Sequence, residues 1–228
     1  MQIKEIINSI GDEGLTVGDL TTYVRTFGCN LNCKDCNTEY CVNPQSDEDL
    51  TDFTVMSVEE IMDEVADYGN EHVTFCGGEP LLQKDAPELV AALLDAGYIV
   101  NIETQGAVDL ATFENKMVDI LEDDEKLNNL IYSIDYKCPS SEMDDKMLVS
   151  NLTFLVDTDV LRFHVQNNED LEYMQDVLDT NTPQAHIFVL PINEYDPKNI
   201  VNFINGNNLQ KARIQLPLRV LIYGNGMY

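Results

Sequence analysis

Three of the six cysteines lie close together at a spacing that suits iron. Cys29, Cys33 and Cys36 follow the pattern C-x3-C-x2-C, directly after a predicted strand over residues 21–27. Three thiolates can bind three irons of a four-iron four-sulfur cluster, which leaves the fourth iron open to a small chelating ligand. A structural zinc site is the alternative, since Cys41 offers a fourth ligand. Incidental buried cysteines are a third interpretation.

A second motif follows the next predicted strand and reads Cys76-Gly77-Gly78-Glu79-Pro80. Two adjacent glycines allow the backbone to approach a ligand closely, and the glutamate and proline fix the loop. A tight turn without a ligand is the alternative interpretation.

Polar residues also end the next two predicted strands. Residues 103–106 are placed where a sheet edge meets ribose hydroxyls or substrate, although a plain turn into a helix explains them equally well. Residues 133–141 form a dense polar string that a buried strand end rarely carries without ligands. The second segment therefore favours a functional role.

These motifs belong to a regular alternation of strands and amphipathic helices. Such an alternation predicts an α/β fold with a mostly parallel sheet and function at the carboxyl ends of its strands. We expect a single domain over residues 1–228, with a cluster loop at 28–38. The predicted strands are 21–27, 72–75, 98–102, 130–134, 160–165, 185–190 and 213–215, and the predicted helices are 57–68, 86–96, 110–122, 170–178 and 197–204.

Composition excludes several partners. The chain has 228 residues, 44% of them hydrophobic, and a net charge of −28, so its surface repels nucleic-acid backbones and anionic membranes. No apolar run reaches the roughly 18–20 residues of a membrane span, and the N-terminus lacks a signal peptide's pattern. We expect a cytoplasmic protein that binds neither nucleic acid nor membrane and keeps its cysteines as thiols.

The cysteine loop followed by Gly77-Gly78-Glu79-Pro80 one βα unit later resembles the radical S-adenosylmethionine superfamily. The resemblance implies a partial, modified (β/α) TIM-like barrel. It also implies that the open iron binds the amino and carboxylate groups of S-adenosylmethionine, which is cleaved to a radical that abstracts hydrogen from substrate. Superfamily members commonly take the electron from flavodoxin or ferredoxin.

Five further segments match motifs of one family within that superfamily, namely residues 9–14, 23–25, 36–38, 103–106 and 133–141. These segments resemble the 7-carboxy-7-deazaguanine synthases of the pathway to queuosine and archaeosine. The resemblance implies ring contraction of 6-carboxy-5,6,7,8-tetrahydropterin to 7-carboxy-7-deazaguanine with loss of ammonia, catalytic use of S-adenosylmethionine, a magnesium ion and a homodimer.

The same resemblance assigns roles to single residues. Arg25 is expected to pair with the substrate carboxylate, Glu13 to hold the guanidine-like N–H edge of the pterin, and Thr38 to bind magnesium. A strand surface residue, a loop charge and a turn residue are the respective alternatives. Cys76 and Gln105 complete the expected substrate contacts. The expected contacts to S-adenosylmethionine are Gly77, Gly78, Glu79, Pro80, Glu103, Ser133, Asp135 and Lys137.

The chain departs from the family pattern at several positions, none of them an expected iron ligand. A C-terminal histidine of the family has no counterpart in the segment over 215–219. The other departures are Gly11, Asp12, Asn37, Cys76 and Gln105.

Two other functions compete with this one. An activase that makes a glycyl radical on a partner protein would share the cysteine loop and the glycine-rich loop. A non-catalytic iron–sulfur or zinc protein would need only the cysteines.

Overall fold

The computed structural model describes residues 1–42, 53–121 and 123–224. Within these ranges the chain alternates strands with helices, as predicted. The strands are β1 (Gln2–Ile10), β2 (Leu20–Thr26), β3 (Thr54–Val55), β4 (His72–Gly77), β5 (Ile99–Thr104), β6 (Leu130–Asp135), β7 (Val160–Val165), β8 (His186–Pro191) and β9 (Ala212–Ile214). The α-helices are α1 (Val58–Tyr68), α2 (Ala86–Asp95), α3 (Leu110–Val118), α4 (Val149–Phe154), α5 (Asn168–Asn181), α6 (Pro197–Gly206) and α7 (Leu218–Tyr223).

All described strands join one sheet in the order β3-β1-β2-β4-β5-β6-β7-β8-β9. Strand β2 and strands β4 to β9 run parallel to one another. Strand β1 pairs antiparallel with both β2 and β3. The sheet is not closed, because β3 and β9 form its two edges. The expected partial, modified (β/α) TIM-like barrel is confirmed.

Helix α1 shows how local sequence sets these elements. Ser57 accepts a hydrogen bond from the backbone N–H of Glu60 (3.2 Å), whose carboxylate accepts one from the Ser57 N–H (2.8 Å). This capping box satisfies two backbone donors at the helix start, as its sequence predicts. Ile61 and Val65 lie one turn apart and are fully buried against the sheet.

The predicted elements are found with shifts of a few residues at their ends. Helix α3 ends at Val118, and residue 122, the predicted end, lies outside the described residues. Strands β1 and β3 and helices α4 and α7 are additional to the prediction. Since β1 contains a register shift between Ile3 and Glu5, it lacks the regular alternation by which a strand is recognised.

Parallel strands place their carboxyl ends at one edge of the sheet, and the motifs follow those ends. The cysteine loop follows β2, the glycine-rich loop follows β4, and the two polar strings follow β5 and β6. Within the part of the chain that the structure describes, no helix combines the length and the apolar character of a membrane span.

Candidate active site

One large cavity of about 750 Å³ opens at the carboxyl ends of the strands. It gathers residues from the loops after β2, β4, β5 and β6, together with the loop after β1. The expected site residues that line it are Glu13, Arg25, Cys29, Cys33, Cys36, Thr38, Cys76, Gly77, Gly78, Glu103, Gln105, Asp135 and Lys137.

The three cysteines of the loop are partly exposed and face this cavity. Burial raises the pKa of Cys29 and raises that of Cys33 to about 11, so these two thiols are protonated until iron replaces the proton. Cys41 is fully buried and does not line the cavity. Its position does not support the zinc alternative, which needs Cys41 beside the other three.

A single ion would need its ligands gathered around one point. Among residues 1–42, 53–121 and 123–224, no three histidine, cysteine or acidic side chains are gathered in this way. The three thiols instead lie along the cavity, which suits a cluster in which each cysteine binds a different iron.

Gly77 and Gly78 bring the glycine-rich loop against the backbone of the cysteine loop. Gly77 has a φ of 133°, and a Cβ on it would collide with the backbone of Thr26. A Cβ on Gly78 would collide with the carbonyl of Gly28, which accepts the Glu79 N–H at 2.8 Å. The two loops therefore form one unit. We call residues 28–38 with Gly77 and Gly78 the cysteine wall.

Glu79 lies behind the cysteine wall and does not line the cavity. Its carboxylate accepts hydrogen bonds from the Thr104 hydroxyl (2.9 Å) and from the backbone N–H groups of Leu81 (3.1 Å) and Gln105 (3.0 Å). Burial raises the pKa of Glu79 to about 7, although these hydrogen bonds act to lower it. Glu79 thus joins the ends of β4 and β5.

Two other expected contact residues also lie outside the cavity. Pro80 is buried at the start of a short 3-10 helix. Ser133 is buried on β6, and its hydroxyl is 2.6 Å from Oδ1 of Asn101 on β5. Both residues support the cavity from behind.

Thr38 and Gln105 make further polar contacts of the cysteine wall. The Thr38 hydroxyl donates to the carbonyl of Gly77 at 3.5 Å. The Gln105 amide donates to Oδ1 of Asn30 (2.7 Å) and accepts from the N–H of Ala107 (2.7 Å), so it ties the cysteine loop to the end of β5.

Arg25 lies beneath the cavity on β2 and is buried. Its Nε donates to Glu5 Oε1 on β1 at 2.8 Å, and its guanidinium lies 5.5 Å from the centre of the Tyr23 ring. Cys76 is its register neighbour on β4. Burial raises the pKa of Cys76 to about 12, which keeps it a thiol.

Opposite charges alternate along another side of the cavity. Lys137 pairs with Asp135, whose other oxygen lies 2.9 Å from Nδ1 of His164. Nε2 of His164 lies 3.1 Å from Glu13. Arg162 completes the series between Glu13 (3.1 Å) and Glu103 (3.3 Å). We call these six residues the charged wall.

The charged wall contains two residues that the sequence analysis did not single out, Arg162 and His164. They are two positions apart on β7, so both project to the same face of the sheet. A recognisable signal was present, because a charged side chain within a buried apolar strand requires partners. Asp12 and Arg219, which form an ion pair at the cavity (3.6 Å), were also missed as candidates.

Comparison with known proteins identifies the family to which this chain belongs. Residues 23–150 match the model of the radical S-adenosylmethionine superfamily. A 7-carboxy-7-deazaguanine synthase from Clostridium acetobutylicum is 33% identical over 226 residues, which cover 97% of this chain and 96% of the relative. The chain belongs to the 7-carboxy-7-deazaguanine synthase family of this superfamily.

Other relatives and structures agree with that family. Synthases from Methanospirillum hungatei and Thermoplasma acidophilum are 36% and 28% identical, over 97% and 99% of this chain and 85% and 98% of their own length. The crystal structure of QueE from Escherichia coli has a TM-score of 0.69 at 18% identity and covers 94% of this chain and 92% of its own. At that identity the likeness concerns the fold.

Membership confirms that this chain is an enzyme and implies two cofactors, a four-iron four-sulfur cluster and S-adenosylmethionine. The donors present suit both. Three thiols of the cysteine wall can hold the cluster. The charged wall lines the same cavity, and its polar atoms suit a cofactor with amino and carboxylate groups.

Proposed function

We propose that this enzyme contracts the ring of 6-carboxy-5,6,7,8-tetrahydropterin to give 7-carboxy-7-deazaguanine and ammonia, with S-adenosylmethionine regenerated in each turnover. The observation that carries the proposal is that Glu13 and Arg25 line the same cavity as Cys29, Cys33 and Cys36. A substrate held by Glu13 and Arg25 would therefore lie next to the cofactors held at the three cysteines. The product is the one that the names of the relatives state.

The substrate carries a carboxylate, and the cavity lining contains basic side chains, each of which is paired with an acidic residue in the structure. Although acidic residues outnumber basic ones by 41 to 13, the basic residues Arg25, Lys137, Arg162 and Arg219 all line the cavity. Arg25 suits a carboxylate because its planar guanidinium can donate two parallel hydrogen bonds. Glu13 suits the N–H edge of the pterin, since its oxygens only accept hydrogen bonds when ionised. Cys76 and Gln105 lie on the same cavity and complete this set.

S-adenosylmethionine would contact Gly77, Gly78, Glu103, Asp135 and Lys137. When bound with the cluster, this cofactor supplies a 5′-deoxyadenosyl radical that abstracts hydrogen from the substrate. The protein's residues orient the two ligands and shield them from water. Glu79, Pro80 and Ser133 act from behind by fixing the ends of β4, β5 and β6.

The test is an anaerobic assay with the cluster-loaded enzyme. S-adenosylmethionine, magnesium, a reductant and the pterin are added, and the products are identified by mass spectrometry. We expect 7-carboxy-7-deazaguanine without stoichiometric loss of S-adenosylmethionine. Slow release of 5′-deoxyadenosine alone would overturn the proposed substrate and leave the superfamily in place. Flavodoxin or ferredoxin would be the physiological reductant, and a homodimer in the cytoplasm the working form.

Magnesium would bind at Thr38, whose hydroxyl is at the cavity edge between Cys36 (3.8 Å) and Gly77. We expect magnesium to stimulate the wild-type enzyme and not the Thr38→Ala variant, while Thr38→Ser, which keeps the hydroxyl, retains the stimulation. The measurement is turnover in chelator-treated enzyme as magnesium is added back. Equal stimulation of the wild type and Thr38→Ala would rule out this ligand.

A further inference from the structure

His164 lies between two carboxylates that serve different ligands in the proposed function. Its Nδ1 is 2.9 Å from Asp135, which would contact S-adenosylmethionine, and its Nε2 is 3.1 Å from Glu13, which would contact the pterin. Its side chain is 16% exposed and lines the cavity. Neither the motifs nor the family relationship assigns it a role.

Both ring nitrogens of His164 face acceptors, so both must carry hydrogen. A neutral imidazole has only one N–H donor, and the geometry therefore requires an imidazolium. Burial alone would lower the pKa of His164, but the charges of Asp135 and Glu13 outweigh burial and raise the pKa to about 10.

The other groups around the imidazole hold it in place. On the side of Asp135, β6 and its loop contribute Lys137, and on the side of Glu13, β7 contributes Arg162. Glu103 on β5 pairs with Arg162, and the register neighbour on β8 is Leu190, which carries no charge. The ring therefore has two fixed anionic partners, each with a further cation behind it.

We propose that His164 is a positioning residue that orients Glu13 towards the substrate and Asp135 towards S-adenosylmethionine at the same time. The inference rests on the roles that the proposed function gives to these two carboxylates. Each carboxylate has more acceptor positions than the charged wall uses, so each can still bind a ligand N–H. His164 thereby joins the two binding sites through one rigid ring.

Two variants separate the two contacts. In His164→Asn the shorter amide places its nitrogen near the position of Nδ1, so it can donate to Asp135 and not to Glu13. In His164→Gln the longer amide places its nitrogen near the position of Nε2, so it can donate to Glu13 and not to Asp135. Both variants remove the charge, which makes each the matched control of the other.

The expected results cross over. We expect His164→Asn to raise the KM for the pterin about tenfold above that of His164→Gln, because a hydrogen bond to a charged group is lost. We expect His164→Gln to raise the Kd for S-adenosylmethionine about tenfold above that of His164→Asn. The His186→Gln variant, which changes a histidine away from the cavity, should leave both constants at their wild-type values.

The two constants also separate this inference from the proposed function. If the wild type makes no product from the pterin, the proposed function fails, and the Kd for S-adenosylmethionine still tests His164. Equal Kd values in the Asn and Gln variants would overturn the positioning role. A KM for the pterin that rises equally in both variants would also overturn the positioning role. If His164 were merely structural, the effect of a substitution would not depend on which ring nitrogen the new side chain replaces.

The wild-type protein allows a test without substitution. Nitrogen-15 NMR of the oxidised, cluster-loaded enzyme with labelled histidine reports the protonation of each ring nitrogen. At about pH 8, where an ordinary histidine is neutral, we expect a histidine signal with both nitrogens protonated that is absent in His164→Gln. Three neutral rings at this pH would overturn the inference.

Discussion

The two walls of the cavity are held by different forces. In the cysteine wall, Gly77 and Gly78 allow two backbones to meet, and the contacts that join the loops are short-range hydrogen bonds to main-chain carbonyl groups. In the charged wall, side chains from three strands and two loops are held by ion pairs between 2.5 and 3.3 Å. The first wall depends on the absence of side-chain atoms, and the second on the balance of charge.

The difference matches what each wall would bind. The cysteine wall leaves three thiols partly exposed, so it is ready to accept irons that form strong bonds of their own. The charged wall pairs its own ions until ligands arrive, which avoids burying uncompensated charge. A rigid steric frame would thus hold the cluster, while a pre-paired set of charges would be available for polar ligands.

The largest effect is expected from removal of a thiol from the cysteine wall. Cys33→Ala should lose the cluster and all turnover, because iron at that corner has no replacement ligand. Cys41→Ala removes a thiol that lies outside the cavity and should retain both. Iron content and visible absorbance after anaerobic reconstitution are the measurements. Loss of iron in Cys41→Ala would contradict a cluster held by only Cys29, Cys33 and Cys36.

Removal of a charge should break the charged wall. Arg162→Met leaves the partly buried Glu13 and Glu103 without their shared cation, and the loss of one partner from a fully buried ion pair, which sets the upper bound here, costs about 3–5 kcal/mol. Arg213→Met changes an exposed arginine on β9 and should cost far less. Urea unfolding gives the free energies. Equal stability of the two variants would mean that the charged wall is not held by its charges.

Addition of a methyl group should break the cysteine wall without any change of charge. Gly77→Ala places a Cβ against the backbone of Thr26 at a positive φ, which should cost about 2–4 kcal/mol in the free energy of unfolding. Gly206→Ala, at an open position at the end of α6, is the matched control and should be nearly neutral. If both variants unfold at the same urea concentration, the close approach of Gly77 to the backbone of Thr26 is not required.

The smallest effect is expected from Glu79, the titrating group behind the cysteine wall. Its folded pKa of about 7 lies above its ordinary value, so its stabilisation is complete at low pH and is lost as pH rises towards 7. Between about pH 5 and 7, the free energy of unfolding should fall more in the wild type than in Glu79→Gln, by on the order of 2 kcal/mol.

The control for this pH series is Glu172→Gln, which removes an exposed carboxylate from α5. Its stability should follow the wild-type pH dependence. A Glu79→Gln profile parallel to the wild type would contradict the raised pKa of Glu79.

The cysteine wall could be predicted from the sequence because its parts are short and contiguous. Cysteine spacing and adjacent glycines are visible in a few residues, and the alternation of strands and helices places them at the same edge of the sheet. Glu79 shows the limit of such motifs. Its place in the motif suggested a ligand contact, whereas its side chain turns inward to Thr104 because the backbone N–H groups there need an acceptor.

The charged wall could be predicted only in part. Glu13, Glu103, Asp135 and Lys137 came from the family resemblance, but their pairing through β7 depends on which strands are neighbours in space. Arg162 and His164 follow no motif, and they come close to Glu13 only through the tertiary fold, in which the loop after β1 packs against β7. Strand β1 was missed for a local reason, since its register shift interrupts the alternating pattern.

The central claim is that one cavity holds the cluster, S-adenosylmethionine and the pterin together. Its most direct test is turnover with a pterin that carries deuterium on its ring carbons, followed by mass spectrometry of the recovered S-adenosylmethionine. If the substrate lies beside the cofactor, deuterium should appear in S-adenosylmethionine as product forms. Product formation with no deuterium in S-adenosylmethionine or 5′-deoxyadenosine would contradict the shared cavity.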